Sequence, residues 1–253
     1  MTFGIESSNI VGYTTKEAEK GKFLILGAQF EGVAGGTKIN DLISGVQGVD
    51  FDWDLAFQKT AAQVQIPNAS GSLTTYYYLN DGSYDDGTEE GGIKAGWCDG
   101  DGFIVDAEVT PGEAFWFKSV PGDAIPTIAG AVSEENVKSI DCPKGFSLRA
   151  NAFPMTVALN SSNIGSDDIV GVDFDWDLAF QNTATQVQIP NASGSLTTYY
   201  YLNDGSYDDS TEEGGIKAGW CDGDGFIVDA IIPAMQGFWT KGTSGAFTLK
   251  FTK

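Results

Sequence analysis

The sequence predicts an all-β protein of two tandem antiparallel modules of the β-sandwich or jelly-roll kind, and three observations lead there. The hexapeptide Val49-Asp50-Phe51-Asp52-Trp53-Asp54 returns as Val172-Asp173-Phe174-Asp175-Trp176-Asp177, an offset of 172 − 49 = 123. Short stretches alternate apolar and polar residues with a period of two, as half-buried strands do. Asn/Asp-Gly pairs punctuate these stretches and supply the positive-φ positions that tight turns require.

The repeat organises everything else. From Val49–Asp106 to Val172–Asp229 only Lys59/Asn182, Ala62/Thr185 and Gly87/Ser210 differ, and the same offset relates Phe115-Trp116 to Phe238-Trp239 and Phe30 to Phe153. A period this long is a copied domain rather than a solenoid turn. Module 1 is expected over 1–130, with an N-terminal arm, and module 2 over 131–253. The boundary is expected where a Pro/Gly/Ala-rich stretch gives way to Ser133-Glu134-Glu135.

Within a module, Phe51, Trp53, Leu55 and Phe57 alternate with Asp52, Asp54 and Ala56, and Val64 and Ile66 with Gln63 and Gln65; both read as strands. Leu73–Leu79, with its three tyrosines, is rich in strand formers. Phe103–Val109 and Ala114–Phe117 add two more, and Phe247, Leu249 and Phe251 mark a terminal strand of module 2. The segment at Pro126 is expected to be an edge or linker, because proline lacks a ladder donor. Helix is expected at most as a turn at Thr15–Gly21 or around Leu42.

The copies disagree in one informative place. Phe23, Ile25 and Gly27 stay apolar or small as Phe146, Leu148 and Ala150, whereas Leu24, Leu26 and Ala28 become Ser147, Arg149 and Asn151. One strand face is therefore expected to be core in both modules and the other to be covered in module 1 alone. The cover is module 2, the N-terminal arm or a neighbouring molecule. A contact between unlike faces is what head-to-tail assembly needs.

Composition narrows the function. Hydrophobic residues make up 42% and aromatics 12% of 253 residues, enough for two cores. A net charge of −21 repels phosphate backbones and anionic lipid, so nucleic acid is excluded as a partner. No apolar run is long enough for membrane insertion by a helix. Met1–Gly12 lacks the basic start and apolar centre of a signal peptide, so the chain reads as soluble and already processed. Histidine is absent, which removes Ser-His-Asp and Cys-His catalysis and His-ligated zinc. No G-x-S-x-G element occurs and the modules lack long cleft-building loops, so the chain reads as not an enzyme. Cys98, Cys142 and Cys221 are too few for a zinc site or a disulfide framework. They are buried thiols or, in an oxidising compartment, Cys142 pairs with either of the others.

Three sets of candidate residues follow. Phe3, Ile5, Ile10, Leu24, Leu26 and Ala28 form the assembly interface of a self-polymerising subunit, by strand addition or face packing. Tyr76, Tyr78, Tyr84 and Trp97, with Tyr199, Tyr201, Tyr207 and Trp220, form an aromatic surface for glycans. Alternate tyrosines facing the core is the competing use of the same residues. Asp99, Asp101, Asp222 and Asp224 are candidate ligands for Ca²⁺, although Phe103 stands where an EF-hand loop needs an oxygen. Asn68-Ala-Ser70, Asn160-Ser-Ser162 and Asn191-Ala-Ser193 match the N-glycosylation pattern.

The order Asn9-Ile10-Val11-Gly12-Tyr13, Gly21-Lys22-Phe23, Gly96-Trp97-Cys98-Asp99 and Pro111-Gly112-Glu113-Ala114-Phe115-Trp116 resembles a group of secreted bacterial β-proteins. Their modules open on a V-G-Y phrase and close on a P-G-x-G/A-F-W phrase. Module 2 departs from it, with Asn136-Val137-Lys138-Ser139 at the opening and Pro233–Trp239 at the close. The resemblance implies export and a cell-surface or extracellular place, and names no substrate. The sequence thus points to a structural subunit of an extracellular filament, tube or surface layer, with a glycan-binding adhesin module as the alternative.

Overall fold

The computed structural model describes residues 11–32, 37–68, 71–83, 93–105, 107–206 and 217–253. The chain divides into two compact units. Unit 1 holds Met1–Leu24, Ala28–Pro111 and Trp116–Glu134; unit 2 holds Ile25–Gly27, Gly112–Phe115 and Glu135–Lys253. The main division thus falls inside the Ser133-Glu134-Glu135 stretch, while two short segments that precede it in sequence belong by contact to unit 2.

The first copy runs β1 (Val11–Thr15), β2 (Phe23–Gly27), α1 (Ile39–Leu42), β3 (Ile43–Ser44), α2 (Phe57–Thr60), β4 (Gln63–Pro67), β5 (Leu73–Ser83), β6 (Ile93–Cys98), β7 (Ala114–Lys118) and β8 (Thr127–Ala131). Its sheets have the orders β1-β8-β3 and β2-β7-β4-β5-β6. The second copy runs β9 (Val137–Cys142), β10 (Gly145–Ala150), β11 (Val157–Ala158), β12 (Ile164–Asp167), α3 (Phe180–Thr183), β13 (Gln186–Pro190), β14 (Leu196–Gly205), β15 (Lys217–Cys221), β16 (Ile231–Ile232), β17 (Gly237–Gly242) and β18 (Phe247–Thr252). Its orders are β9-β18-β12 and β10-β17-β13-β14-β15, with a small β11-β16 pair added. Equivalent strands occupy equivalent places, and the described ladders are antiparallel.

Sequence alternation explains how the core of unit 2 closes. Val187 and Ile189 of β13, Trp220 of β15 and Phe238 of β17 meet Ile164 of β12 and Phe247, Leu249 and Phe251 of β18 in one buried cluster. One side of the five-stranded sheet and one side of the three-stranded sheet are thereby removed from water, at about 25 cal/mol per Å² of apolar surface.

The other side of each five-stranded sheet carries a second, smaller core. Phe57, Ala61, Leu79 and Cys98 are buried together, with Val49, Phe51, Tyr77 and Ile104 packed around them. Phe180, Ala184, Leu202 and Cys221 repeat the arrangement with Val172, Phe174, Leu178, Tyr200 and Ile227. Tyr77 and Leu79 face this core, whereas Tyr78 pairs with Trp97 on the opposite side, their rings 5.2 Å apart. The period of two is thus satisfied on both faces of β5.

Several expectations need correction. Phe51–Phe57 is not a strand but a turn leading into α2, because the Asp52 carboxylate takes up two backbone N–H groups that a ladder would otherwise use. Among the described residues of 103–109, Phe103, Ile104 and Glu108 make isolated bridges rather than a strand. Thr15–Gly21 forms no helix; Ala18 bridges Ala124 instead. Pro126 does not mark an edge. It immediately precedes β8, the central strand of its sheet, so its missing donor falls outside the ladder.

The expected asymmetry between Leu24–Ala28 and Ser147–Asn151 is also resolved differently. Phe23 and Phe146, read as core, are 44% and 57% exposed and rest edge-on against Trp116 and Trp239. Leu26 and Ala28 are 0% and 1% exposed. Ser147 and Asn151 are buried as well, and paired: Ser147 shares a hydrogen bond with Thr240 at 2.7 Å, and Asn151 donates to the Met155 carbonyl at 2.8 Å. Short polar side chains that satisfy one another fill an interior as leucines do, so a polar residue in the second copy does not signal a wet face.

Candidate functional site

The candidate site is the loop that caps the smaller core of each unit. Its geometry starts from Asp52. The Asp52 carboxylate accepts the Ala56 N–H at 2.7 Å and the Phe57 N–H at 2.8 Å, and the Leu55 N–H closes a turn onto the Asp52 carbonyl at 3.1 Å. Trp53 and Asp54 thus occupy the two central positions of the turn. Leu55, which follows, is held at φ 56°, a left-handed conformation that side chains other than glycine adopt at a cost of about 1–2 kcal/mol.

A column of rings anchors the turn. Tyr77 on β5 meets Phe57 at 5.5 Å, Phe57 meets Phe51 at 5.5 Å, and Phe51 meets Trp53 edge-on at 5.0 Å and 84°. Phe51 is fixed twice more, by its N–H to the Asp81 carboxylate at 2.6 Å and by the backbone of Gly102 beneath its ring. A Cβ on Gly102 would lie 2.5 Å from Phe51, and its φ of +89° suits glycine alone. Gln58 ties α2 to the same turn through the Gly100 carbonyl at 2.9 Å.

The column runs from interior to solvent. Phe57 is buried at its base, and the Trp53 indole at its tip is 90% exposed. Unit 2 reproduces it: Asp175 accepts from Ala179 and Phe180 at 2.7 and 2.9 Å, Leu178 stands at φ 56°, and Trp176 is 90% exposed at the end of Tyr200, Phe180 and Phe174. A tryptophan this exposed leaves a large aromatic face wet. Comparison with known protein families, curated proteins and solved structures finds no match to the chain.

The aromatic residues selected from sequence lie elsewhere. Trp97 and Trp220 are 0% and 2% exposed, inside the sheets, and cannot form a platform. Tyr76, Tyr78, Tyr199 and Tyr201 are half-buried, and the last two pack against the main core of unit 2. The alternate-face use of the triple tyrosine is the one realised. Tyr84 and Tyr207 lie outside the described residues. Trp53 and Trp176 were hidden by the regular alternation around them, which reads as a strand; the signal that could have exposed them is the aspartate four residues ahead of Ala56, a side chain able to take up local backbone N–H groups in competition with a ladder.

Of the expected assembly residues, Phe3, Ile5 and Ile10 lie outside the described residues, and Leu24 is half-buried. Leu26 and Ala28 have no surface to offer another molecule, which corrects their place in the assembly interface. Within unit 2 the Gly27 N–H bonds the Met235 carbonyl at 2.9 Å and Leu26 bridges Gln236, so residues of the second copy, one of the three expected covers, lie against the end of this strand.

The candidate calcium ligands serve turns. One Asp99 oxygen accepts the N–H groups of Asp101 and Phe103 at 2.9 and 3.0 Å, and Asp222 does the same for Asp224 and Phe226 at 3.0 Å each. Among the described residues no three His, Cys, Asp or Glu side chains gather to hold a metal ion. All three cysteines are buried free thiols. Burial, with the charges of Asp99 and Asp81, pushes the Cys98 thiol up to about 12, and burial with Asp222 and Asp204 does the same for Cys221.

Proposed function

We propose that the chain is a non-catalytic carbohydrate-binding protein of the cell surface or extracellular space, which offers one tryptophan-tipped loop per unit to sugar rings. The observation that carries the reading is the exposure of Trp53 and Trp176 at the ends of two matching ring columns. A pyranose presents a flat face of C–H groups, and an indole held rigidly in water is the complementary surface, with little ordering entropy left to lose on binding. The backbone strain at Leu55 and Leu178 beside both indoles is of the kind that accumulates at working sites. Two matching sites on one chain add avidity for a polymer long enough to reach both.

The framework fits a jelly roll. β1 with β8, β2 with β7 and β4 with β5 are nested pairs, as when a long hairpin wraps into two sheets. Where the remaining pair, β3 with β6, would lie, the Asn40 side chain of α1 bonds the Trp97 backbone of β6. The test is a glycan array probed with the full chain and with Trp53→Ala plus Trp176→Ala. Binding lost in the double variant supports the reading, and silence of the unaltered chain across the array defeats it.

A second reading, a structural subunit of a filament, tube or surface layer, rests on β1. Among the described residues this strand is the edge of its sheet, and Val11 and Tyr13 are exposed along it, a template for strand addition from another copy. Tyr13→Lys should abolish any assembly seen by electron microscopy. Assemblies that persist unchanged, or their absence from the unaltered protein, would count against this reading.

A further inference from the structure

We infer that the two tryptophan loops select sugars that carry a protonated amine, so that the preferred ligand is a polymer of deacetylated amino sugar; this rests on the carbohydrate reading above and narrows it. The first ground is charge. Asp50, Asp52 and Asp54 surround Trp53 in sequence, and the bonds that fix the loop bring Asp81 and the Asp99–Gly102 turn to the same ring column. Asp54, next to Trp53 in the turn, is exposed and makes no hydrogen bond or ion pair among the described residues, so its carboxylate is uncommitted. The same holds for Asp177 beside Trp176.

An ammonium group near an indole gains from the ring quadrupole and from the neighbouring carboxylate together, whereas a uronic acid or sulfated sugar meets repulsion from both. A neutral sugar gains only the stacking. The second ground is a difference between the copies. One of the three substitutions in the long identical stretch is Lys59 in α2, replaced by Asn182 in α3, so the first loop carries a cation that the second lacks. Lys59 is exposed six residues after Trp53, so the first loop and its helix carry one positive charge more than the second. The Trp176 loop is therefore the stronger amine site of the two, although their rings are arranged alike.

The experiment measures binding of a glucosamine hexamer, its N-acetylated counterpart and a neutral glucose hexamer to the full chain by calorimetry, at low and at high salt. The glucosamine hexamer should bind at least roughly tenfold more tightly than the other two and lose most of that margin at high salt. Asp54→Asn with Asp177→Asn should erase the margin by weakening the glucosamine hexamer far more than the two neutral hexamers. Trp176→Ala should cost more affinity for the amine than Trp53→Ala, and Lys59→Asn should bring the two losses together. Neutral hexamers that bind as well as the amine, without salt dependence, would overturn the selectivity while leaving the carbohydrate reading intact. Failure of all three hexamers would sink both. Amine binding that survives loss of both tryptophans would reduce it to diffuse attraction by an acidic surface. Equal, tryptophan-dependent binding of a lysine hexapeptide would assign the site to basic peptides instead.

Discussion

Asn160 holds Trp220 by both of its backbone groups: its side-chain oxygen accepts the Trp220 N–H at 2.9 Å and its amide nitrogen donates to the Trp220 carbonyl at 2.8 Å, with a further bond to the Val228 carbonyl at 2.8 Å. One side chain thus does the work of a strand rung along β15. Asn40 does the same for Trp97 and Val105 at 2.6, 3.3 and 2.8 Å. Asn160→Ala should leave the Trp220 N–H and the Val228 carbonyl without their side-chain partner, while the Trp220 carbonyl keeps the Val228 N–H at 3.2 Å, and should lower stability by about 2–4 kcal/mol in urea unfolding. Asn160→Asp should be at least as costly, because a carboxylate oxygen would face the two carbonyls.

The same bonds bear on modification. Asn160 begins an Asn-Ser-Ser pattern, yet its amide nitrogen is occupied, whereas Asn191 lies exposed in the turn between β13 and β14. In a glycosylating secretory host, intact-mass measurement should find no glycan at Asn160. A glycan there would mean that the Asn160–Trp220 contact does not form before modification.

Gly102 and Gly225 are predicted to be the least replaceable residues under the tryptophan loops. Each stands at a φ near +90° with a phenylalanine ring where its Cβ would go, 2.5 Å away in both copies. Alanine there combines backbone strain with a steric clash, and Gly102→Ala should cost about 2–3 kcal/mol. The ring column should tilt as Phe51 moves, shifting Trp53 fluorescence. Gly71, also at positive φ but with open space around it, provides the control: alanine there meets strain alone and should cost less.

Leu55 separates strain from packing. It sits at φ 56° and is largely outside the buried set. Leu55→Asn should hold stability level or raise it by up to about 1 kcal/mol, since asparagine tolerates the left-handed region. Leu55→Ile should lower the melting temperature, because a β-branched side chain is least at ease there. Equal melting temperatures for the two variants would show that the turn relaxes to another conformation.

Much of the fold was legible in the sequence. The 123-residue repeat, the strands around Val64, Tyr77, Phe115 and Leu249, and the turn at Asp99-Gly102 depend on local spacing and turn chemistry, and those local terms prevail. Asn80–Ser83, which reads as a turn, instead continues β5 through an irregularity and pairs with β6. The site was not legible, because the segment that forms it alternates like a strand. A long-range bond from the Phe51 N–H to Asp81 and a local one from the Ala56 N–H to Asp52 outweigh that alternation, and tertiary neighbours such as Gly102 and Tyr77 hold the ring column that carries Trp53. The register of Asn160 was hidden for another reason: it matches Asn40 at 160 − 40 = 120, three short of the main offset, so comparison at 123 passes it by.

The thiols give a pH signature to the small cores beneath the loops. Cys98 and Cys221 are raised to about 12, first by burial and then by the neighbouring aspartates, whereas a thiol in the unfolded chain titrates near 8.5. A group whose folded pKa is raised contributes fully below its unfolded pKa and loses that contribution as pH climbs toward the folded value, because above about 8.5 the unfolded chain sheds the proton that the folded chain keeps. Stability should therefore be flat in this respect up to about pH 8 and fall steadily between about 9 and 12. Tyr77 and Tyr200, raised by burial in the same cores, steepen the fall at its upper end. Cys98→Ala with Cys221→Ala should flatten the slope between about pH 9 and 10, where tyrosine contributes least. In the native protein at pH 8 all three cysteines should resist alkylation and react only once denaturant is added, since each is buried and protonated. Rapid labelling of Cys98 or Cys221 without denaturant would show that the small core opens, and with it the base on which Trp53 or Trp176 stands.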